Sequence, residues 1–73
     1  MEILVEPFKE NDPGPHVIAA VDAARAAGLD VDMGPFATTV EGEITDVVAA
    51  GAAMMTAGFD AGATSIQLRV EIQ

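Results

Sequence analysis

Apolar residues change their spacing along this chain, and the order of these changes limits the possible folds more than any single motif does. Four segments alternate apolar with polar residues or are rich in strand formers, which is typical of half-buried strands: Glu2–Phe8, Leu29–Met33, Phe36–Glu41 and Ser65–Gln73. Two segments repeat apolar residues every three or four positions, which is typical of helices: His16–Ala27 and Glu43–Gly62. The residues therefore predict the order β-α-β-β-α-β.

This order is that of the ferredoxin-like α+β fold, a four-stranded antiparallel sheet with both helices on one face. We predict a single domain of this kind over residues 1–73, because so short a chain holds no second one. Right-handed crossovers place the first and third strands side by side at the centre of the sheet. We expect these two strands to run parallel, so that Glu6 and Glu41, which end them, lie near the same end.

Alternation also predicts which side chains face the helices. The purely apolar positions of each strand belong to the helix side, because burial requires them there. Thr38 and Val40 fall on that side, whereas Thr39 and Glu41 fall on the open side. The open side is then polar and acidic, and it carries these residues: Glu2, Leu4, Glu6, Asp30, Asp32, Ala37, Thr39, Glu41, Gln67, Arg69 and Glu71.

Glycines mark two kinds of position in the predicted helices. The second helix carries an apolar stripe, formed by Ile44, Val47, Val48, Gly51, Met55, Gly58 and Phe59. Glycine lowers helix propensity, so Gly51 and Gly58 on this stripe indicate close backbone packing, and Phe59 is expected in the core. Gly28 is predicted to end the first helix as a left-handed cap, and Gly62 lies near the end of the second.

The charge of the chain limits its partners. Three basic residues oppose twelve acidic ones, which gives a net charge of −9. Such a chain disfavours nucleic acid and anionic membranes, so a charged partner is expected to be a cation. The acidity alternatively serves solubility or a cytoplasm rich in salt. No apolar run reaches the roughly 20 residues that span a bilayer, and the acidic start MEILVEP is unlike a signal peptide, so we expect a cytoplasmic protein.

The sequence lacks the usual supports of a small domain. Without Cys it has neither disulfides nor a thiolate metal site, and the single His, His16, makes no zinc site without several carboxylates around it. We predict no metal and no cofactor. A domain of this size buries only roughly 60–65% of its unfolded surface, so oligomerisation is the expected supplement.

Two carboxylates are the leading candidates for function. If Glu6 and Glu41 meet, their repulsion would be relieved by a cationic or aminopyrimidine ligand. Arg69, on the strand beside the first, could instead neutralise Glu6 internally. Paired carboxylates also serve acid–base catalysis, but the sequence has no obvious nucleophile, metal cluster or phosphate loop to accompany them. We therefore predict binding rather than an enzyme.

Two aromatic residues, one histidine and two threonines are the other candidate contacts. Phe8 and Phe36 each follow a proline at a strand edge, where the ring either stacks on a planar ligand or packs in the core. His16 begins the first helix and is expected to be solvated, with a ligand contact from the preceding loop as the alternative. Thr38 and Thr39 are adjacent on one strand, so only one of them can reach a given ligand.

Nearly the whole chain resembles one family. GLDVDMGPFATTVEGE, residues 28–43, and AGATSIQLRVEIQ, residues 61–73, are similar to segments of the thiamine-binding protein family, which are small ferredoxin-like domains. The most specific match is Pro-x-x-Thr-x-x-Glu-Gly, in which Thr38 and Glu41 stand at the family's Thr and Glu. Phe36 and Ala37 replace the family's common Met and Gly, and the second helix lacks a His-Glu pair often found near residues 54–57.

The resemblance implies non-catalytic binding of thiamine or its hydroxymethylpyrimidine half, and homodimers or homotetramers assembled through the sheets. The predicted ligand site comprises Glu6, Phe8, His16, Phe36, Thr38, Thr39 and Glu41. The alternative hypothesis is an oligomeric protein-interaction or regulatory module without a small ligand. A third hypothesis is an enzyme that acts on a thiamine precursor.

Overall fold

Six elements follow one another in the order that the sequence predicts. The structure is a computed structural model that describes residues 1–7, 14–34 and 37–72. Its elements are β1 (Glu2–Glu6), α1 (Pro15–Ala26), β2 (Asp30–Met33), β3 (Thr38–Glu41), α2 (Ile44–Asp60) and β4 (Ser65–Arg69). The predicted α+β ferredoxin-like fold is confirmed. No helix within the described residues combines the length and apolarity needed to cross a bilayer.

The direction of the central strands differs from the prediction. The sheet has the order β2-β3-β1-β4, and every neighbouring pair is antiparallel, including β1 with β3. The rule of right-handed crossovers applies to β1 and β2, which run parallel and leave room for one strand between them. The hairpin from β2 to β3 places β3 in that position, antiparallel to both. Glu6 and Glu41 therefore lie at opposite ends of the sheet, and the expectation that they meet was wrong.

The core lies between the sheet and the two helices. Its buried apolar side chains are Ile3, Val5, Val17, Ala20, Val21, Ala24, Val40 and Met54, with Val47 and Ala50 also buried on α2. Each fully buried apolar side chain contributes about 1.5–3 kcal/mol relative to its exposed state, and the two largest of these are Ile3 and Met54.

The helix ends agree with the sequence. Pro15 occupies the first turn of α1, where its missing N–H costs nothing. Gly28 follows α1 with φ of +79°, which is the left-handed conformation predicted for its cap. Gly62 adopts φ of +111° just past α2 and plays the corresponding part there.

The two glycines inside α2 allow the close packing that was predicted for them. The helix runs without a break through both, and both are buried. A Cβ added at Gly51 would lie 3.1 Å from Cδ1 of Leu68, and one added at Gly58 would lie 3.1 Å from Cδ1 of Ile66. The Cβ added at Gly51 would also lie 3.1 Å from Sδ of Met1, so the glycines let α2 approach both β4 and the residue before β1.

The rest of the α2 prediction was partly wrong. The helix buries Val47 and Met54 together with small residues, whereas Phe59 is 49% exposed and Val48 is 55% exposed. The face with Ala and Gly approaches α1 and the sheet more closely than a face with large side chains would. Large apolar residues at the border of this face, Ile44 among them, consequently remain on its flank.

Candidate functional site

An acidic cleft opens at the end of the sheet where β3 leads into α2. Its volume is about 380 Å³. The lining residues are Met1, Val40, Glu41, Gly42, Glu43, Ile44, Val47, Glu71 and Ile72. Three carboxylates thus share one cleft with an apolar wall drawn from β3, α2 and the segment after β4. We refer to this set of residues as the acidic cleft.

Backbone pairing fixes the floor of the acidic cleft. The main-chain nitrogen of Met1 donates to the Val40 carbonyl at 2.9 Å, and the Val40 N–H donates back to the Met1 carbonyl at 2.8 Å. β3 is therefore held to the residue before β1 up to the point where it leaves the sheet. Glu41 follows immediately and is exposed, so its carboxylate stands at the end of a fixed strand.

The Glu41-Gly42-Glu43 turn places two acids on either side of a glycine with a packing role. A Cβ at Gly42 would lie 2.7 Å from Cδ2 of Leu29, which is closer than real Cβ contacts come. After the turn, Val47 N–H donates to the Glu43 carbonyl at 2.9 Å and starts the hydrogen bonding of α2. The glycine thus serves the contact with Leu29, and the two glutamates remain exposed.

A smaller depression of about 150 Å³ continues from the cleft onto the open face of the sheet. It is lined by Met1, Glu2, Thr39, Glu41, Arg69 and Glu71. Three residues, Met1, Glu41 and Glu71, line both spaces, so the two spaces adjoin there. The strand register aligns Thr39 and Arg69 with Glu2, which sets the order of side chains across the depression.

Two of the predicted site residues lie together at this place. Thr39 and Glu41 are two residues apart on β3, so their side chains share the open face. Thr38 is only 7% exposed and points to the helix side, where it lies opposite Ile3 and Met33 in the register. Burial therefore accounts for Thr38, and Thr39 is the threonine at the depression.

Glu6 lies at the other end of the sheet. It is opposite Ser65, and its Oε1 accepts a hydrogen bond of 3.3 Å from Nε2 of Gln67. Arg69 does not neutralise it, because Arg69 is opposite Glu2 and forms an ion pair with Glu71. The sequence left open an ion pair between Arg69 and Glu6. The structure instead pairs Arg69 with Glu71, and both of these residues line the depression.

His16 also lies away from the acidic cleft. It is buried, and its Nε2 is hydrogen-bonded to the Pro7 carbonyl, so the expectation of a solvated first-turn residue was wrong. The first turn of α1 packs beneath α2, where a Cβ at Gly58 would lie 3.8 Å from the His16 carbonyl oxygen. The ring is used to tie α1 to the end of β1. Phe8 and Phe36 fall outside the residues that the structure describes.

Comparison with known families agrees with the sequence resemblance. The model of the thiamine-binding protein family matches residues 1–73. The chain belongs to this family. No curated protein and no solved structure gives a significant match. The family is named for binding and not for a reaction.

Sequence reasoning missed part of the acidic cleft that this member of the thiamine-binding family carries. Glu43 and Glu71 were not chosen, nor were Ile44 and Ile72 of the apolar wall. Antiparallel pairing of β1 with both β3 and β4 would have indicated them, since it places the ends of β3 and β4 at the start of β1. The parallel expectation directed attention to Glu6 instead.

The charges of the site favour a cation. Glu2, Glu41, Glu43 and Glu71 surround the two spaces, and Arg69 and the amino group of Met1 offset part of this charge. A concave surface lined by one sign of charge concentrates ligands of the opposite sign. Apolar side chains beside the carboxylates suit an organic cation with flat, poorly hydrated faces.

Proposed function

We propose that the acidic cleft binds thiamine, or its hydroxymethylpyrimidine half, without changing it chemically. The observation that carries this proposal is the convergence of Glu41, Glu43 and Glu71 beside an apolar wall, in a chain of the thiamine-binding protein family. The thiazolium ring of thiamine carries a fixed positive charge, which carboxylates attract. Its ring faces are apolar enough to lie against Ile44 and Ile72.

Thr39 and Glu41 supply the hydrogen bonds of the proposed site. The exocyclic amine of an aminopyrimidine donates to a carboxylate, and its ring nitrogens accept from a hydroxyl. These two side chains are at positions i and i+2 of β3, so they are neighbours on its open face. We assign the amine to Glu41 and a ring nitrogen to Thr39, while Glu43 and Glu71 face the positive charge.

The size of the acidic cleft fits this assignment. Pockets for small organic ligands typically measure about 300–1,000 Å³, and the cleft holds about 380 Å³ before the adjoining depression is counted. The pyrimidine and thiazolium rings of thiamine are joined by one methylene group. One ring can therefore enter the cleft while the other lies in the depression.

Titration calorimetry tests the proposal directly. Folded protein, verified by circular dichroism, is titrated with thiamine and separately with hydroxymethylpyrimidine. Heat that saturates at one ligand per chain is the expected result, and no heat at millimolar ligand would refute it. Proton NMR of the incubated ligand should show thiamine unchanged; a new product would favour the enzyme hypothesis.

The alternative function is a protein-interaction or regulatory module, for which the exposed apolar residues on α2 and after β4 provide the supporting observation. A homodimer or homotetramer is compatible with both functions. The Glu41→Gln variant separates them. Loss of thiamine binding favours the ligand site, whereas stronger self-association without a change in ligand heat favours the module.

A further inference from the structure

Arg69 places a positive side chain beside the acidic cleft. It ends β4, a strand at the edge of the described sheet, and it lines the depression that adjoins the cleft. Its Nη2 forms an ion pair with Oε1 of Glu71, and Glu71 lines both spaces. The carboxylate of Glu71 is therefore already paired with a cation of its own chain before any ligand arrives.

The guanidinium group of Arg69 has the properties of the cation proposed for the cleft. It is planar, permanently charged and weakly hydrated. A thiazolium ring is likewise planar and carries a fixed positive charge. Two cations beside one carboxylate repel each other, so a cation that enters the cleft competes with Arg69 for Glu71.

The ion pair between Arg69 and Glu71 is exposed enough to open. The side chain of Arg69 is 72% exposed and that of Glu71 is 58% exposed. Exposed ion pairs are weak, because water solvates both charges and because two long side chains lose freedom when they pair. The amino group of Met1, by contrast, is held by its hydrogen bond to the Val40 carbonyl. Arg69 is thus the positive group at the site that can move away.

A second acid stands opposite Arg69. The strand register pairs Arg69 with Glu2 of β1, and the side chains of such a cross-strand pair lie on the same face of the sheet. Among the described residues, Glu2 lines the depression alone, whereas Glu71 lines both the depression and the cleft. Movement of the guanidinium from Glu71 to Glu2 would therefore take positive charge away from the cleft and still leave Arg69 with an acidic partner.

We propose that Arg69 is a specificity-determining residue of the acidic cleft, which competes with a bound cation for Glu71 and moves to Glu2 when the cation binds. The proposal rests on the proposed function of the cleft as a site for an organic cation. A cationic ligand has to open the ion pair between Arg69 and Glu71, whereas an uncharged ligand does not. Arg69 consequently lowers the affinity for thiamine relative to the affinity for uncharged hydroxymethylpyrimidine.

Removal of the positive charge at position 69 tests the competition. The R69Q variant, titrated with thiamine in a calorimeter, should bind about two- to fivefold more tightly than the unchanged chain, the range that an exposed ion pair supports. R25Q is the matched control for net charge, because Arg25 is exposed on α1 and is not among the described residues that line the two spaces. R25Q should show a smaller gain than R69Q. R69K keeps the positive charge and should bind thiamine less tightly than R69Q does.

Two further measurements separate competition from a change in structure. Hydroxymethylpyrimidine, titrated at mildly alkaline pH where it is uncharged, should gain less than thiamine from R69Q, so that the ratio of the two affinities shifts toward thiamine. E2Q removes the second partner of Arg69 and should weaken thiamine binding more in the unchanged chain than in the R69Q chain, which is the coupling expected of residues that interact. Circular dichroism confirms that each variant folds.

A second probe keeps this proposal distinct from the proposed function. N-methylpyridinium, a flat cation without the aminopyrimidine group, is titrated into the unchanged chain and R69Q while the amide NMR signals of Glu41 and Glu71 are followed. If thiamine binds neither chain but R69Q binds N-methylpyridinium more tightly, the thiamine assignment fails and the role of Arg69 stands. If thiamine binds both chains equally, the role of Arg69 is refuted and the binding function stands. The absence of a gain in R69Q with either cation, or an equal gain in R25Q, would also overturn the proposal.

Discussion

Glu41 ends β3 and Glu71 follows the end of β4, each two residues beyond the residue that pairs with Glu2. Their preceding neighbours on the open face are Thr39 and Arg69, and both of these are aligned with Glu2. The two acids are therefore level with each other, although thirty positions separate them in sequence. Both acids line the acidic cleft and the adjoining depression, with Met1 beside them.

Glu41→Gln is expected to weaken thiamine binding. A hydrogen bond to a charged group contributes about 1.5–3 kcal/mol, which corresponds to a loss of affinity of roughly 10- to 150-fold. Calorimetry measures the change. Glu6→Gln is the matched control, because Glu6 ends β1 at the opposite end of the sheet, and its affinity should equal that of the unchanged protein. Equal losses in both variants would contradict the placement of the site.

The two threonines of β3 should separate binding from packing. Thr39→Val removes a hydroxyl from the depression and should weaken thiamine binding about three- to tenfold, with little change in stability. Thr38→Val replaces a buried hydroxyl by a methyl group of similar size and should leave binding unchanged. Calorimetry and chemical denaturation of both variants provide the comparison. If only Thr38→Val reduced binding, Thr38 would be the ligand contact and the role assigned to Thr39 would be wrong.

Thiamine phosphates should bind less tightly than thiamine. Each added phosphate brings negative charge to a cleft lined by Glu41, Glu43 and Glu71, and only the thiazolium is attracted. The difference in affinity should shrink as salt is raised from low to about 0.5 M, because salt screens exposed charges. Calorimetry at two ionic strengths measures this. Tighter binding of the pyrophosphate at low salt would contradict the charge argument.

Met54 and Met55 should differ sharply in their contributions to stability. Met54 is fully buried, and truncation of a buried Met to Ala costs about 2–5 kcal/mol of unfolding free energy. Met55 is half-buried on α2, so Met55→Ala should cost less than half as much. Urea denaturation of dilute protein measures both. Equal costs would mean that α2 is rotated relative to the orientation described above.

Local patterns predicted the elements well because each depends on nearby residues. Alternation placed Thr39 and Glu41 on the open face, and Gly28 was identified as a left-handed cap. Strand direction depends instead on how the hairpin returns beside β1. The expectation of parallel neighbours placed Glu6 beside Glu41, whereas the antiparallel pairing puts the two at opposite ends of the sheet. Phe59 was wrongly expected in the core for a related reason. An apolar stripe shows that a helix has a buried face, but on α2 the small residues decide which part of that face packs against the sheet.

β4 was expected to continue to Gln73, yet its pairing ends at Arg69. Alternation reports which side chains can be buried on one face, whereas the length of a strand depends on its neighbour. The residue at the start of β1, Glu2, has Arg69 as its partner, so the following positions lack a pairing strand among the described residues. Glu71 and the apolar wall residue Ile72 belong to this overhang, which explains why the cleft was not visible in the sequence.

Glu71 belongs to two surfaces at once, because it lines the acidic cleft and extends past the last paired residue of the edge strand. A cation bound in the cleft changes the charge that this edge presents to a neighbour. Thermodynamic linkage then requires reciprocity: if a neighbour changes the affinity for the cation by some factor, the cation changes the affinity for the neighbour by the same factor. Binding of a cation in the cleft would then alter the affinity for a neighbour through the charge of Glu71 alone, and the fold would not need to rearrange.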